Sequence, residues 1–284
     1  MNNKLSWFLI SILIIGYIFL YGPILSLIVF SFNESKLVTV WAGFSTKWYQ
    51  ELAQDQQVLS AAWLSLEIAA ITATLSAILG TISGYILARF NKFRGKAFFT
   101  GMISARLVMP DVITGLSMLL LFVQADQLLQ VIFGIDPIGR GKLTIIIAHT
   151  TAAMAFVTVV LQSRLVNLDQ SLEEAAQDLG ARPLKVFFVI TLPIISPAII
   201  AGWLLAFTIS LDDVVIASFT SGPGATTLPM VIFSKVRLGL NPEINALATI
   251  IIGIVGVGVL IASLMMKKQE KRRTHEMQTA FDQH

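Results

Sequence analysis

Residues 7–30 read WFLISILIIGYIFLYGPILSLIVF, a run without one charged side chain. As a helix it would extend about 36 Å, more than the roughly 30 Å of hydrocarbon in a bilayer. In water every face of such a helix would need cover, whereas in lipid none does. The run is longer than a signal-peptide core and no small-residue cleavage site follows it, so it reads as a retained helix.

Five further runs follow, at about 61–88, 97–123, 143–163, 198–220 and 244–266, each long enough to cross. The expected fold is therefore all-α and polytopic, a single transmembrane domain of six helices. Composition agrees: of 284 residues, 55% are hydrophobic and only 13% charged, against about 25% charged in ordinary soluble chains. So few charges cannot cover a soluble core, which excludes soluble enzymes and disordered chains. The absence of cysteine removes disulfides, thiolate metal sites, iron–sulfur clusters and thiol nucleophiles.

Basic residues orient the spans. One set comprises Lys4, Arg89, Lys92, Arg94, Lys96, Arg164, Arg182, Lys185 and the tail cluster Lys267, Lys268, Lys271, Arg272 and Arg273. The opposite set, Lys36, Lys47, Arg140, Lys142, Lys235 and Arg237, is smaller. The positive-inside rule makes the first set cytoplasmic, and an even number of crossings puts both termini there. The basic tail, 267–284, then reads as a topology anchor at an anionic lipid surface and not as a nucleic-acid arm. No nucleic-acid partner is expected, despite a net charge of +3. The longest external segment, about 33–60, carries Trp41, Trp48 and Tyr49, rings suited to the headgroup level. A surface-lying helix is expected over 46–57.

No catalytic constellation emerges: there is no His-Glu-x-x-His, and no Gly-x-Ser-x-Gly. His275 and His284 lie in the tail. His149 stands alone in the fourth span, where packing and hydrogen bonding between helices is the ordinary role. The glycine-rich stretch Gly222-Pro223-Gly224-Ala225-Thr226-Thr227 lacks the Gly-Lys-Ser/Thr ending of a phosphate loop. The chain is expected neither to hydrolyse ATP itself nor to bind a cofactor or metal.

After the fourth span comes Ser171-Leu172-Glu173-Glu174-Ala175-Ala176-Gln177-Asp178-Leu179-Gly180. Acids at 173, 174 and 178 with apolar residues at 172, 175, 176 and 179 predict a short two-faced helix. Gly180 can take the left-handed conformation that ends it, and Pro183 is pre-set to begin another, over 184–190. A rigid cytoplasmic knuckle follows, leading through Leu192-Pro193 and Pro197 into the fifth span.

The spacing Glu174-Ala175-Ala176, Gly180, Ile190-x-Leu192-Pro193 matches the Glu-Ala-Ala-x3-Gly-x9-Ile-x-Leu-Pro motif, and the chain resembles binding-protein-dependent ABC importer permeases of the type I kind. Further stretches are similar to their polyamine branch: Val40-Trp41-Ala42-Gly43, Leu107 to Gly115, Ser210-Leu211-Asp212-Asp213, Gly222 to Met230 and Asn241 to Thr249. The likeness runs from about residue 17 to 266. Arg106 departs from it, standing where the pattern has a proline before Leu107. The resemblance implies an inner-membrane permease subunit whose 171–190 loop is a coupling helix. Glu173, Glu174, Ala175, Ala176, Asp178 and Gly180 would meet an ATP-binding subunit. The implied assembly holds a second homologous permease, two copies of the ATP-binding subunit carrying the ATP, and a periplasmic polyamine-binding protein. The implied cargo is putrescine, with spermidine or another small solute as the alternative.

Glu67, Arg106, Asp111, Asp212 and Asp213 fall within the expected spans, where an acid at mid-helix costs about 2.5–3.5 kcal/mol. They should therefore face protein or water. Measured along unbroken helices, Asp111 and Asp212 reach one level, and Pro110 should kink the third span beside Asp111, Thr114 and Gly115. Asp111, Thr114, Asp212 and Asp213 are the candidates for a cation path, with helix-to-helix or subunit pairing as the other open role. Adjacent residues point about 100° apart, so Asp212 and Asp213 should not both face the path, and one should have a structural partner. Arg106 and Asp111, five apart, do not share a helix face, so no ion pair is expected between them. An ion-coupled transporter using these acids is the reading from another class, and it leaves the knuckle unexplained.

Overall fold

Long apolar runs with few breakers become long helices. In the computed structural model, residues 3–37, 40–90, 92–134, 136–137, 139–239 and 242–257 are described, with side chains from residue 7. The described residues are helical with short connections and contain no strand, only an isolated bridge between Asn33 and Phe44. The helices are α1 (Asn3–Phe30), α2 (Lys47–Gln54), α3 (Gln56–Arg89), α4 (Lys96–Val108), α5 (Asp111–Phe133), α6 (Lys142–Val166), α7 (Ser171–Asp178), α8 (Pro183–Val186), α9 (Leu192–Asp212), α10 (Val215–Thr220) and α11 (Leu228–Leu238). A further apolar helix, α12, covers Pro242–Val257.

Among the described residues, five stretches are long and apolar enough to cross a membrane: Trp7–Phe30, Gln56–Arg89, Asp111–Phe133, Lys142–Val166 and Pro183–Asp212. The sixth expected span, 244–266, is met by α12 as far as the described residues go. The basic tail, 267–284, lies outside them.

Three expectations need correction. The third span is not one kinked helix over 97–123: α4 ends at Val108, and α5 starts afresh at Asp111 with Pro110 as its N-cap. Met109 and Pro110 are both extended, because the residue before a proline is driven out of the helical region and the proline has no N–H to donate back. Of the two, α5 is long and apolar enough to cross by itself, whereas the 13 residues of α4 reach only about 20 Å. The fifth span likewise does not run over 198–220. Its helix stops at Asp212, Asp213 is extended, and α10 begins separately. Finally, the helix expected over 184–190 is not separate from the fifth span: α8, a π-helical segment (Phe187–Thr191) and α9 form one rod of 30 residues, Pro183–Asp212. The π turn just ahead of Pro193 is where the rod absorbs its missing donor.

The chain divides into two compact units, one taking in the sequence up to Gln56 and again from Ser234, the other Gln57–Phe233. In the first, Asn33 is fully buried and organises its loop. Its Nδ2 donates to Val40 O at 2.7 Å and its Oδ1 accepts from Ala42 N at 2.9 Å. Trp48 Nε1 donates to Asn33 O at 2.6 Å and the ring is only 2% exposed. Trp48 is therefore a core residue of this unit and not a headgroup anchor; Trp41, half exposed, packs edge-on to Phe30. The helix expected over 46–57 is present as the shorter α2. Lys235 Nζ bridges Asp55 Oδ2 at 2.5 Å and Glu243 Oε2 at 3.1 Å. Burial works to lower the Lys235 pKa, but the two carboxylates outweigh it and hold the ammonium above the ordinary lysine value.

The second unit is built on α6, whose face from Ile145 through Ala148, Ala152, Val157 and Leu161 to Leu165 is almost wholly buried. Against it lie α9, α10, α4 and, through a stripe of small residues, α3. A Cβ on Gly80 would stand 2.7 Å from Val157 Cβ, and one on Gly84 would stand 3.0 Å from Leu161 Cβ. These glycines let two backbones approach in a medium where packing, not water exclusion, holds helices together. Buried Ser76 adds a hydrogen bond from its Oγ to Thr150 O at 3.3 Å.

Candidate coupling knuckle and intramembrane cavity

Two features of the second unit carry chemistry: the turn after α6 and a hollow beside the ends of α4 and α9. At the turn, Asp169 Oδ1 accepts from Ser171 N at 3.0 Å and leads into α7. Those hydrogen bonds from Ser171 hold the Asp169 carboxyl below its ordinary range. Glu173 and Glu174 in the first turn favour the positive end of the helix dipole. The helix closes in a Schellman motif: Gly180 has φ of 85°, its N–H donates to Gln177 O at 2.8 Å, and Ala181 N donates to Ala176 O at 3.0 Å. Pro183 then occupies the first position of α8. The turn thus has the glycine stop and proline start that the sequence implies.

The two faces of α7 are not as the pattern suggests. Glu173 is buried and pairs with Arg89 at the end of α3, while Leu172 and Leu179, the latter 90% exposed, face outward. Glu174, Ala175 and Asp178 are exposed and Ala176 half-buried. A carboxylate goes inside here because a guanidinium meets it there, 84 residues away in sequence, which no local pattern reveals. With Leu184 and Phe188 also exposed, the knuckle presents an apolar patch edged by acids, the kind of surface that marks a protein contact.

The hollow has a volume of about 690 Å³ and is lined by Arg106, Asp111, His149, Phe156, Asp212 and Asp213 among others. Three of the four path candidates therefore meet. Thr114 does not: it is buried, and its Oγ1 donates to Pro110 O at 3.3 Å. Asp111 is the first residue of α5, at the break, not midway along a helix. The same break overturns the expectation for Arg106. With the chain extended at 109 and 110, Arg106 Nη2 reaches Asp111 Oδ1 at 3.0 Å.

Asp212 and Asp213 both line the hollow, contrary to the expectation that only one would face it, because the helix ends at Asp212 and the extended Asp213 escapes the helical offset; they differ in their partners. Asp212 is exposed and lines the hollow. Asp213 is committed to the fold: Oδ2 accepts from Ala217 N at 2.7 Å, Oδ1 from Ile216 N at 3.3 Å, and Oδ2 stands 3.1 Å from His149 Nε2. His149 Nδ1 lies 2.8 Å from Ser210 Oγ. An ionised Asp213 can only accept, so Nε2 carries the proton. The ring thereby ties α6 to both sides of the break after α9, which is the interhelical role expected of it. Glu67 pairs with Lys142 at the start of α6, also a structural use. No cluster of metal-ligating side chains occurs among the described residues.

Comparison with known proteins fits this anatomy. Residues 78–275 match the family model described as "Binding-protein-dependent transport system inner membrane component". The chain is 61% identical over 271 residues to the putrescine transport system permease protein PotI of Escherichia coli K12, covering 95% of each. It is 39% identical over 261 residues to the spermidine/putrescine transport system permease protein PotC of the same strain, covering 92% of this chain and 94% of that one. In fold it is similar to a chain of a bacterial alginate ABC transporter crystallised with its alginate pentasaccharide-bound periplasmic protein, with a TM-score of 0.72 at 18% identity, covering 91% and 93%. The matched family segment contains the knuckle, the hollow and every helix from the end of α3 onward. The chain belongs to the family of inner-membrane components of binding-protein-dependent transport systems, and is a permease subunit of that class.

Proposed function

We propose that this chain forms half of an ATP-driven importer's route for polyamines, with putrescine as the first cargo. The supporting observation is the gathering of Asp111, Asp212 and Asp213 on one hollow against a single guanidinium, Arg106. A small organic dication sheds much of its hydration on entering a narrow passage, and carboxylates can replace it. Asp213 and Asp111 already have partners, so the surplus negative charge is graded and not a deep well. That suits a route, because cargo held too tightly would not leave. The relatives at 61% and 39% identity, a putrescine and a spermidine/putrescine permease protein, point to the same cargo class.

In this reading the chain pairs with a second homologous permease, receives cargo from a periplasmic polyamine-binding protein, and rests on two ATP-binding subunits through Glu174 to Gly180. Closure of those subunits on ATP would move the knuckle and open the hollow outward; hydrolysis would reverse it. The test is uptake of labelled putrescine and spermidine into cells lacking other polyamine importers, with this chain co-expressed with its partner subunits. Asp111→Asn and Asp212→Asn are each expected to cut putrescine uptake by about tenfold while leaving the protein in the membrane, the loss set by about 1.4 kcal/mol of cation stabilisation. Uptake of spermidine alone, or wild-type uptake by both variants, would refute the assignment.

A further inference from the structure

Glu173 precedes the Glu174-Ala175-Ala176 sequence and lies on the other side of α7, where it is 6% exposed. Its single oxygen Oε1 accepts from Arg89 Nη2 at 2.9 Å, from Arg89 Nε at 3.3 Å and from Thr191 Oγ1 at 2.9 Å. Arg89 is the last residue of α3, and its Nη1 donates to Leu165 O at 2.9 Å in the last turn of α6. Thr191, fully buried, closes the π segment that leads into α9. Four chain segments thus converge on one charge pair whose side chains are each 8% exposed.

A helix of eight residues has little stability of its own. A force applied to its outer face would tilt or unwind it unless something inside were fixed. Charge-assisted hydrogen bonds are directional and strong, and a buried carboxylate resists separation from its guanidinium because each would be left as an unpaired charge. Three segments meet at one oxygen and the fourth, α6, joins through the same guanidinium, which fixes their relative positions. Accepting the docking of an ATP-binding subunit on the outer face of α7, as read above, we propose that Arg89, Glu173 and Thr191 form the rigid link that delivers displacement of α7 to the ends of α3, α6 and α9. Glu173 is then a positioning residue for coupling and not a contact to the motor.

The experiment uses the complete transporter in proteoliposomes with loaded external receptor. Two quantities are measured: putrescine carried per ATP hydrolysed, and the ATP-dependent change in maleimide labelling of a reporter, Ile209→Cys, on the wall of the hollow. Glu173→Gln and Arg89→Gln are expected to keep receptor-stimulated ATP hydrolysis within about twofold of wild type, since the outer face of α7 is untouched. Putrescine per ATP should fall about tenfold and the labelling change should vanish. Because the chain has no cysteine, the pair Arg89→Cys/Glu173→Cys can be bridged by a short bifunctional methanethiosulfonate. Bridging should restore the wild-type ratio, and reduction should abolish it again. Wild-type ratios and labelling in both single variants would overturn the link, as would a bridged pair no better than the reduced one. If the single variants fail to assemble, the bridged pair decides alone. A wild-type complex that imports no putrescine counts against the polyamine reading only, because the labelling change tests the link whatever the cargo.

Discussion

Asp213 serves three donors with one carboxylate: two backbone N–H groups at the start of α10 and the imidazole of His149. Removing it takes away a helix cap and leaves a buried imidazole N–H unpaired. Those losses amount to about 2–4 kcal/mol for Asp213→Ala. Asp213→Asn keeps an oxygen for the backbone donors. Its amide can donate to Nε2 if the ring turns its proton to Nδ1 and gives it to Ser210, so the cost falls to about 1 kcal/mol. The thermal midpoint of the detergent-purified complex should therefore fall in the order wild type, Asn, Ala. Equal midpoints for the two variants would show that the cap carries none of the stability. Asp111 gives the complementary lesson. Counted along an unbroken helix, its distance from Arg106 forbids a pair, and two extended residues are enough to make one.

Among the elements, α7 and its turn are the most legible in sequence, because what ends a helix there is local. Gly180 sits at φ of 85°, which costs other residues about 1–2 kcal/mol, and proline cannot adopt it. Gly180→Pro also removes the N–H that donates to Gln177 O. It is expected to abolish uptake while immunoblots show a normal membrane level, with Gly180→Ala intermediate. Normal uptake by the proline variant would contradict the role of the turn. Apolar runs likewise marked where the long helices lie, though of the six spans expected only five stretches are long and apolar enough to cross among the described residues. Their ends were harder. Pro110 is compatible both with a kink inside one helix and with the cap of a new one, and only the packing of α4 and α5 on α6 and α10 selects the second. The stop at Asp212 depends on His149, distant in sequence, and the burial of Glu173 on Arg89. Asp111, Asp212 and Asp213 could be named from sequence because intramembrane acids are conspicuous. Their partners could not, being supplied by other helices.

On the scale of the whole molecule, the proposed membrane direction would tie the knuckle to the motor and the hollow to the cargo. Within the second unit, the rod Pro183–Asp212 starts at the knuckle and ends at the break before α10, and its 30 residues extend about 45 Å. In the proposed arrangement the knuckle and the Gly222–Thr227 loop that follows α10 accordingly lie on opposite faces of the bilayer. Arg89, Lys92, Arg94, Lys96, Arg164, Arg182 and Lys185 belong in sequence to the segments flanking the knuckle, and on the proposed orientation the positive-inside rule would make that end cytoplasmic. The native chain offers no thiol, so single cysteines report without background. Gln177→Cys on the knuckle and Thr226→Cys on the far loop both replace exposed residues. In intact spheroplasts a membrane-impermeant maleimide should label Cys at 226 within minutes and leave 177 unlabelled; in inside-out vesicles the pattern should reverse. Labelling of 177 from outside would invert the orientation. The knuckle would then lie where no ATP is available, and the motor reading of the turn would fail together with the direction of import.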